Sequence, residues 1–411
     1  KMTPKFVFGK EKNDWIKRPL LSNIEKILDY RGRTPKKLGL SWSDTGFLAL
    51  SALNVKNGYI DFNADANYGD QELYNRWMGD NNLHKGQVVF TTEAPMGNVA
   101  QIPNDALYIL SQRTIAFEVK HHLIREDFLA TLLRSPKIFN ELTSLSSGGT
   151  AKGISQKSLS NLKISLPASL DEQSAIGSLF RTLDDLLASY KNNLANYQSL
   201  KATMLSKMFP KDGEAVPEIR LDGFEGEWEV VNLGTLIESY DEIISGVSGF
   251  PIATSSRKGL YLQNDYFEGG RTGIDLTLDF HRVPIGYVTY RHMSDDSIFK
   301  FNKNNFETDV LVSKEYPVFI NNDNSDIDFL LYHLNNSRLF LRFSTMQKLG
   351  GTRVRLYYKN LITYKLAVPT VKEQQAIGSY FSKLDQLITS YREKITQLEI
   401  LKKKLLQDMF I

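Results

Sequence analysis

The sequence contains no cysteine. That excludes a disulfide framework and any Cys-ligated zinc or iron–sulfur site, and it fits a reducing compartment. No apolar run approaches the roughly 18 residues needed to cross a bilayer, and nothing resembles a signal peptide, so the chain is expected to be cytoplasmic with no membrane partner. Lys1 stands ahead of Met2, and we therefore expect that the numbering does not begin at the natural initiator. Charge of one sign is scarce: 50 basic against 47 acidic residues leave a net charge of +3. A histone-like binder is excluded, and any charge that meets nucleic acid has to be clustered.

Catalytic signatures are missing as well. There is no GK[ST] to end a phosphate-binding loop, no GxGxxG after a strand, no GxSxG and no HExxH. The Asn-Pro-Pro-aromatic loop of familiar adenine methyltransferases is absent. Of six histidines, His121 and His122 are adjacent and the rest scattered, with no carboxylate at ligand spacing, so no metal site is expected. One arrangement loosely mimics a magnesium nuclease: Asp105 of Pro103-Asn104-Asp105, followed by Glu118 and Lys120. The matching positions further along the chain, Glu307, Ile320 and Asn322, keep one carboxylate and lose the lysine. A metal-dependent nuclease using Asp105, Glu118 and Lys120 is the enzyme-class alternative, and a coiled-coil scaffold that binds only protein is a third reading.

What the sequence does have is a copy of itself. Pro167 matches Pro369 at an offset of 202, and Glu172, Gln173, Ala175, Ile176, Gly177, Phe180, Leu183, Asp184, Tyr190, Met208 and Phe209 recur at 201. Upstream, Gly148-Gly149-Thr150 matches Gly350-Gly351-Thr352, and Lys157 matches Lys359, at 202; Gly86 and Gly286 differ by 200; Trp15 and Leu20 match Trp228 and Leu233 at 213. At 411 residues and 42% apolar composition the chain can bury two cores of ordinary size. The match is strongest near the end of each copy and weakest in its middle, as expected where a scaffold is kept and specificity diverges.

Each copy ends in a helix opened by a capping box, Ser169 to Glu172 and Thr370 to Glu373. Apolar residues then step by four and three: Ile176, Phe180, Leu183, Leu187, Tyr190, Leu194, Tyr197, and in the second copy Ile377, Phe381, Leu384, Ile388, Tyr391, Ile395, Leu398. This is a coiled-coil seam. Lys201 and Lys402 interrupt both stripes at the same step, and Leu200 and Leu401, one position earlier, are expected to fill the seam as it drifts. A helix of about 33 residues is roughly 50 Å long, more than a core needs. Two matched rods are expected to pair, and an antiparallel pairing would put the two globular parts at opposite ends about a pseudo-two-fold axis.

Before each helix the pattern is β-rich, with strand-like runs at 86–91, 109–117, 286–290 and 310–319 and short helical segments at 125–134 and 326–335. Pro and Gly punctuation at 210–217 marks the boundary between copies. The expected class is α+β: two β-rich α/β domains at 1–168 and 211–369, joined by two long antiparallel coiled-coil helices at 169–210 and 370–411.

Basic residues cluster in loops that carry glycine. Arg31, Arg33, Lys36 and Lys37 fall within seven residues. Gly148-Gly149-Thr150 with Lys152, and Gly350-Gly351-Thr352 with Arg353 and Arg355, set a flexible turn beside cations and a hydroxyl. Glycine lets backbone N–H groups approach a phosphate, lysine neutralises it, and arginine also reads guanine. Arg257-Lys258 and Arg291 are shorter candidates in the second copy. Any one such loop is more often a solvated turn; its recurrence at matching positions favours DNA contact.

The two Glu-Gln-x-x-Ile-Gly helix starts after Pro167 and Pro369, the segment Thr92-Glu93-Ala94-Pro95-Met96-Gly97-Asn98-Val99-Ala100, and Val216-Pro217-Glu218-Ile219-Arg220-Leu221 ahead of Trp228 together make the chain resemble the specificity subunits of type I restriction–modification systems, over essentially its whole length. The resemblance implies a non-catalytic chain in which two target-recognition domains each read half of a bipartite site in double-stranded DNA. It implies helices that act as spacer and as docking surface for two methyltransferase subunits. It also implies separate restriction subunits, with S-adenosylmethionine, ATP and Mg²⁺ used by the partners and no cofactor in this chain. No base-contacting residue carries over by motif.

Overall fold

The computed structural model describes residues 15–146, 152–266, 275–348 and 353–410. The chain divides into unit 1, Lys1–Asn192 with Arg392–Ile411, and unit 2, Asn193–Tyr391. Each unit therefore takes one globular part, the first half of the helix that follows it, and the last half of the other copy's helix.

Unit 1 holds a four-stranded antiparallel sheet of β1 (Ile24–Asp29), β2 (Val88–Thr91), β3 (Val99–Gln101) and β4 (Thr114–Val119), in the order β1-β4-β2-β3. Helix α1 (Glu126–Leu133) packs Phe128 and Leu129 against it, and the next long helix is α2 (Leu170–Lys207). Unit 2 repeats the plan with β5 (Ile237–Tyr240), β6 (Val288–Thr289), β7 (Asn302–Lys303) and β8 (Val318–Asn321) in the order β5-β8-β6-β7, followed by α3 (Ile327–Asn336) and α4 (Val371–Met409). A two-stranded ladder ties the start of each unit to the strand ahead of its long helix: Ile16–Pro19 with Lys163–Leu166, and Glu229–Asn232 with Lys365–Val368.

The runs 109–117 and 310–319 read as single strands in sequence, and the structure breaks each in two. Ile109–Leu110 joins a three-stranded sheet with Phe47–Leu50 and Tyr68–Gly69, and the chain then turns through 111–113 into β4. Val310–Ser313 joins Ile243–Ser245 and Asp279–Val283 before turning at 314–317 into β8. Each run is buried at both ends and exposed between them, at Arg113 in the first and at Ser313, Lys314 and Glu315 in the second, and a bend there lets one stretch serve two sheets. The three-stranded sheets are where the copies diverge. Phe47–Leu50 pairs parallel with Ile109–Leu110, whereas the unit 2 sheet is wholly antiparallel.

The motif that begins both long helices has a packing reason. Ser169 Oγ accepts from Glu172 N–H at 3.3 Å and Thr370 Oγ1 from Glu373 N–H at 3.4 Å, so half of each capping box forms. The other half does not, because both glutamates are engaged elsewhere: Glu172 accepts from Trp15 Nε1 at 3.3 Å, and Glu373 accepts two hydrogen bonds from Arg220 at 2.7 Å. Gln173 is fully buried; its amide donates to Pro167 O and Leu123 O and accepts from Arg125 N–H at 2.9 Å. Gln374 does the same with Pro369 O, Asn324 O and Asp326 N–H. Each glutamine welds its helix to the loop that starts the preceding short helix.

Within each unit the two long helices run antiparallel. In unit 1, Lys191 of α2 pairs with Glu399 of α4 at 2.7 Å; in unit 2, the rings of Tyr197 and Tyr391 stand 5.3 Å apart. The helix ends close the cores. Phe410 packs on Trp15, Phe128 and Phe180 in unit 1, and Phe209 on Trp228, Phe329 and Phe381 in unit 2. Each fully buried ring, Phe128 and Phe180 among them, contributes about 1.5–3 kcal/mol and the partly buried Trp15 and Phe209 less, which accounts for the recurrence of all four in the second copy. Leu200 and Leu401 do not fill the seam as the sequence led us to expect; they are 37% and 45% exposed. Lys201 and Lys402 keep the seam position because each finds a carboxylate there: Lys201 Nζ lies 2.5 Å from Asp385, and Lys402 Nζ contacts Asp184.

Candidate nucleic-acid interface

In unit 1 the loop after β1 is held by its own arginine. Asp29 accepts from the Arg31 N–H at 3.0 Å and from Arg31 Nε at 2.9 Å, and Gln156 adds a bond at 2.8 Å. Burial pushes the Asp29 carboxyl up, but Arg31 and Gln156 outweigh it and hold the group below the usual carboxylate range. Arg31 Nη1 also donates to Ile154 O at 3.1 Å, which brings this loop against the segment after the glycine turn. Ile154 N–H donates to Thr92 O at 2.9 Å, Gly153 bridges to Glu93, and Glu93 pairs with Arg113 at 3.0 Å. Arg31, Lys152 and Arg113 thus belong to one surface, with Lys152 exposed.

Other members of the first cluster face inward or stand apart. Arg33 lies over the Tyr30 ring at 4.8 Å and donates to the Trp77 carbonyl, and the Arg33 carbonyl accepts from the Gln112 amide. Lys37 Nζ donates to Gly32 O at 2.6 Å, and Thr34 Oγ1 caps the turn at Lys37 N–H. Lys36 is exposed. Gly148, Gly149, Thr150, Gly350, Gly351 and Thr352 lie outside the described residues.

Unit 2 assembles the corresponding surface from different residues. Met293–Ser294 pairs with Val354–Arg355, the counterpart of the Glu93–Gly153 bridge at offsets of 200 and 202. The neighbouring carboxylates receive two arginines from separate segments: Arg353 Nε donates to Asp295 at 2.8 Å, and Arg257 Nη1 to Asp296 at 2.7 Å. The Arg257 hydrogen bond is the main reason that the Asp296 carboxyl lies below the usual range. Arg257 and Lys258 occupy the tip of the hairpin Ala253–Ser256 and Gly259–Leu262, anchored by Asn302, whose amide donates to Ser255 Oγ at 2.8 Å and Ser256 O at 2.9 Å. His292 stacks on the exposed Tyr357 with ring centroids 5.6 Å apart. Burial first, and the positive charges of Arg355 and Arg291 with it, outweigh the opposing Glu315 and push the His292 pKa below the usual histidine range. Arg257, Arg291, Arg353 and Arg355 are therefore gathered around 291–296, all exposed.

The three residues of the nuclease arrangement serve separate ends. Asp105 accepts from Lys85 N–H at 3.4 Å, Glu118 stands opposite Lys26 across β1 and β4, and Lys120 donates to Ser22 O at 3.4 Å. Among the described residues no group of three or more His, Asp or Glu is placed to hold a metal ion, and the nuclease reading has no support. No described helix is long and apolar enough to cross a membrane. Sequence reasoning missed Arg113, Asp295, Asp296 and Tyr357. Each is a single polar or aromatic residue in a turn, and only the fold joins it to the cationic loops.

A duplicated unit of this kind, with cationic loops beside a four-stranded antiparallel sheet and a long helix after it in the chain, defines a class. The family model described as the type I restriction–modification DNA specificity domain matches residues 31–196 and 226–400, and the chain belongs to that family. It is 24% identical, over 97% of its own length and 93% of the other's, to a Methanocaldococcus jannaschii protein assigned as the MjaX type I restriction enzyme specificity subunit. It is 23% identical, over 72% of each chain, to the MjaVIII specificity subunit of the same organism. Its fold is similar to that of the crystal structure of a type I restriction–modification S subunit from M. genitalium, with a TM-score of 0.62 at 16% identity over 100% of this chain and 99% of that one.

Proposed function

We propose that this chain reads a bipartite duplex DNA site, each unit taking one half, while its helices set the gap between the halves and dock two methyltransferase subunits and the restriction subunits. The carrying observation is that both copies of the specificity domain hold arginines on equivalent ladders, with different residues supplying them: Arg31, Lys152 and Arg113 around Glu93–Gly153, and Arg257, Arg291, Arg353 and Arg355 around Met293–Arg355. An equivalent place on the scaffold with different side chains is what two different half-sites require. Phosphate contacts would come from Lys36, Lys152 and Lys258 and from the backbone at Gly148–Thr150 and Gly350–Thr352; base readout would come from the arginines.

On this reading the chain performs no chemistry. S-adenosylmethionine, ATP and Mg²⁺ act in the partners, and the assembly works in the cytoplasm. Mapping methylated adenines in a genome that carries this gene and its partner genes tests it. The expected result is a split motif with an unspecified gap, lost on deletion of this gene. A continuous motif, or a methylation pattern unchanged by the deletion, contradicts the reading.

A further inference from the structure

Two carboxylates do more than close the seam. In unit 2, Asp385 of α4 meets Lys201 of α2 at 2.5 Å and accepts from the Tyr332 hydroxyl of α3 at 2.8 Å; the Lys201 ammonium also lies over the Tyr332 ring, 5.3 Å from its centroid. In unit 1, Asp184 of α2 contacts Lys402 of α4 and accepts from Arg134, at the end of α1, at 2.6 Å. The Arg134 side chain is 7% exposed and covered by the loop at Gly58, where an added Cβ would stand 2.8 Å from Arg134 Nη1. Each aspartate joins its own long helix, the opposite long helix and the globular part of its unit. The two joints sit 201 residues apart, and they keep the aspartate and lysine while the third member changes from arginine to tyrosine.

The charges also oppose other registers. A heptad slip in one direction would set Lys201 against Arg392 and Lys402 against Lys191; in the other it would set them against Gly378 and Gly177. One direction meets like charge and the other leaves a lysine in the seam without a partner, so a polar residue at a seam position here specifies register at some cost in stability.

We propose that Asp184 and Asp385 are positioning residues for DNA recognition: each locks the register of the helix pair to the seat of its recognition domain, and so selects the gap between half-sites. This rests on the bipartite reading above. It is tested with the full chain in complex with its methyltransferase subunits, by selecting bound molecules from a duplex pool with a randomised window and reading the gap between the two specified segments. The wild type should return one gap.

Asp385→Asn and Asp184→Asn should admit neighbouring gaps, with the preference for the best gap over the next falling about tenfold, the order seen when a coupled pair is broken. Reversing the pair, Lys201→Asp with Asp385→Lys, should restore the single gap. Lys201→Met with Asp385→Leu replaces the whole pair by apolar chains and should keep Tm at or above the wild-type value, yet broaden the gap. Variants that lose Tm while their gap stays as sharp as the wild type's overturn the proposal, because the pairs would then support only folding. A wild-type pool with no split pattern removes the bipartite reading itself, and this proposal with it.

Discussion

Gly177 lies so close to Asp127 that a Cβ built on it would stand 2.4 Å from the Asp127 Cβ and 2.8 Å from its carbonyl carbon. Gly378 stands in the same relation to the start of α3, 2.6 Å from Asp326 Oδ1 and 3.1 Å from Phe329 N. Both are helical glycines without positive φ, so backbone freedom is not their purpose; they let a long helix touch the N-terminus of a short one. Gly177→Ala should gain about 1 kcal/mol of helix propensity and lose more to overpacking, for a net cost of about 1–2 kcal/mol. For a unit of this size that lowers Tm by about 2–8 °C. Ser178→Ala, on the exposed side of the same turn, should stay within about 0.5 kcal/mol of the wild type. Calorimetry on the two variants checks the pair, and equal Tm values would contradict this account of the motif.

His333 of α3 is wholly buried, with Nε2 bonded to the Tyr364 hydroxyl at 2.8 Å and Nδ1 without a partner. Burial pushes its pKa down to about 4. The unfolded chain takes up this proton near pH 6.5 and the folded chain only near 4, so the unfolded state binds more protons between those values and stability falls as pH drops through that window. The loss should reach about 2 kcal/mol by pH 5. His333→Gln should lower Tm at pH 7 yet flatten its dependence on pH between 6.5 and 5. An undiminished slope in the variant would place the titration elsewhere.

Arg291 is exposed beside the His292–Tyr357 stack, while Arg257 and Arg353 are already paired to Asp296 and Asp295. Arg291→Ala should weaken duplex binding by the complex and make the plot of log affinity against log salt shallower by about one. Asp295→Asn should have the opposite effect on overall affinity, because it frees the Arg353 guanidinium for phosphate. Anisotropy titrations over a salt series distinguish the two, and an unchanged slope for Arg291→Ala would remove that residue from the interface.

The long helices were legible in the sequence because their signals are local: Ser169 and Thr370 as caps, and a four-and-three apolar step. The interruption at Lys201 and Lys402 was visible too, but not its cause, since Asp385 and Asp184 lie about half the chain away and only antiparallel pairing brings them near. Strand boundaries failed at 111–113 and 314–317, where a turn of three or four exposed or half-buried residues divides two buried strands and is too short to stand out from a β-rich run. The interface was legible only as loose cationic loops. Arg33 shows why: it stands two residues from Arg31, yet it is turned onto Tyr30 and Trp77 while Arg31 binds Asp29 and Ile154, and no local pattern distinguishes the two.

The central claim is that the helix pair determines the gap between two half-sites. Inserting seven helix-forming residues after Ala195 and seven at the matching position Thr396 leaves both Lys–Asp joints within their units and adds about 10 Å of helix, close to three base pairs of duplex. Methylation mapping of the double insertion should return the same two half-sites with a gap longer by about three base pairs. The same half-sites at the original gap would contradict the claim.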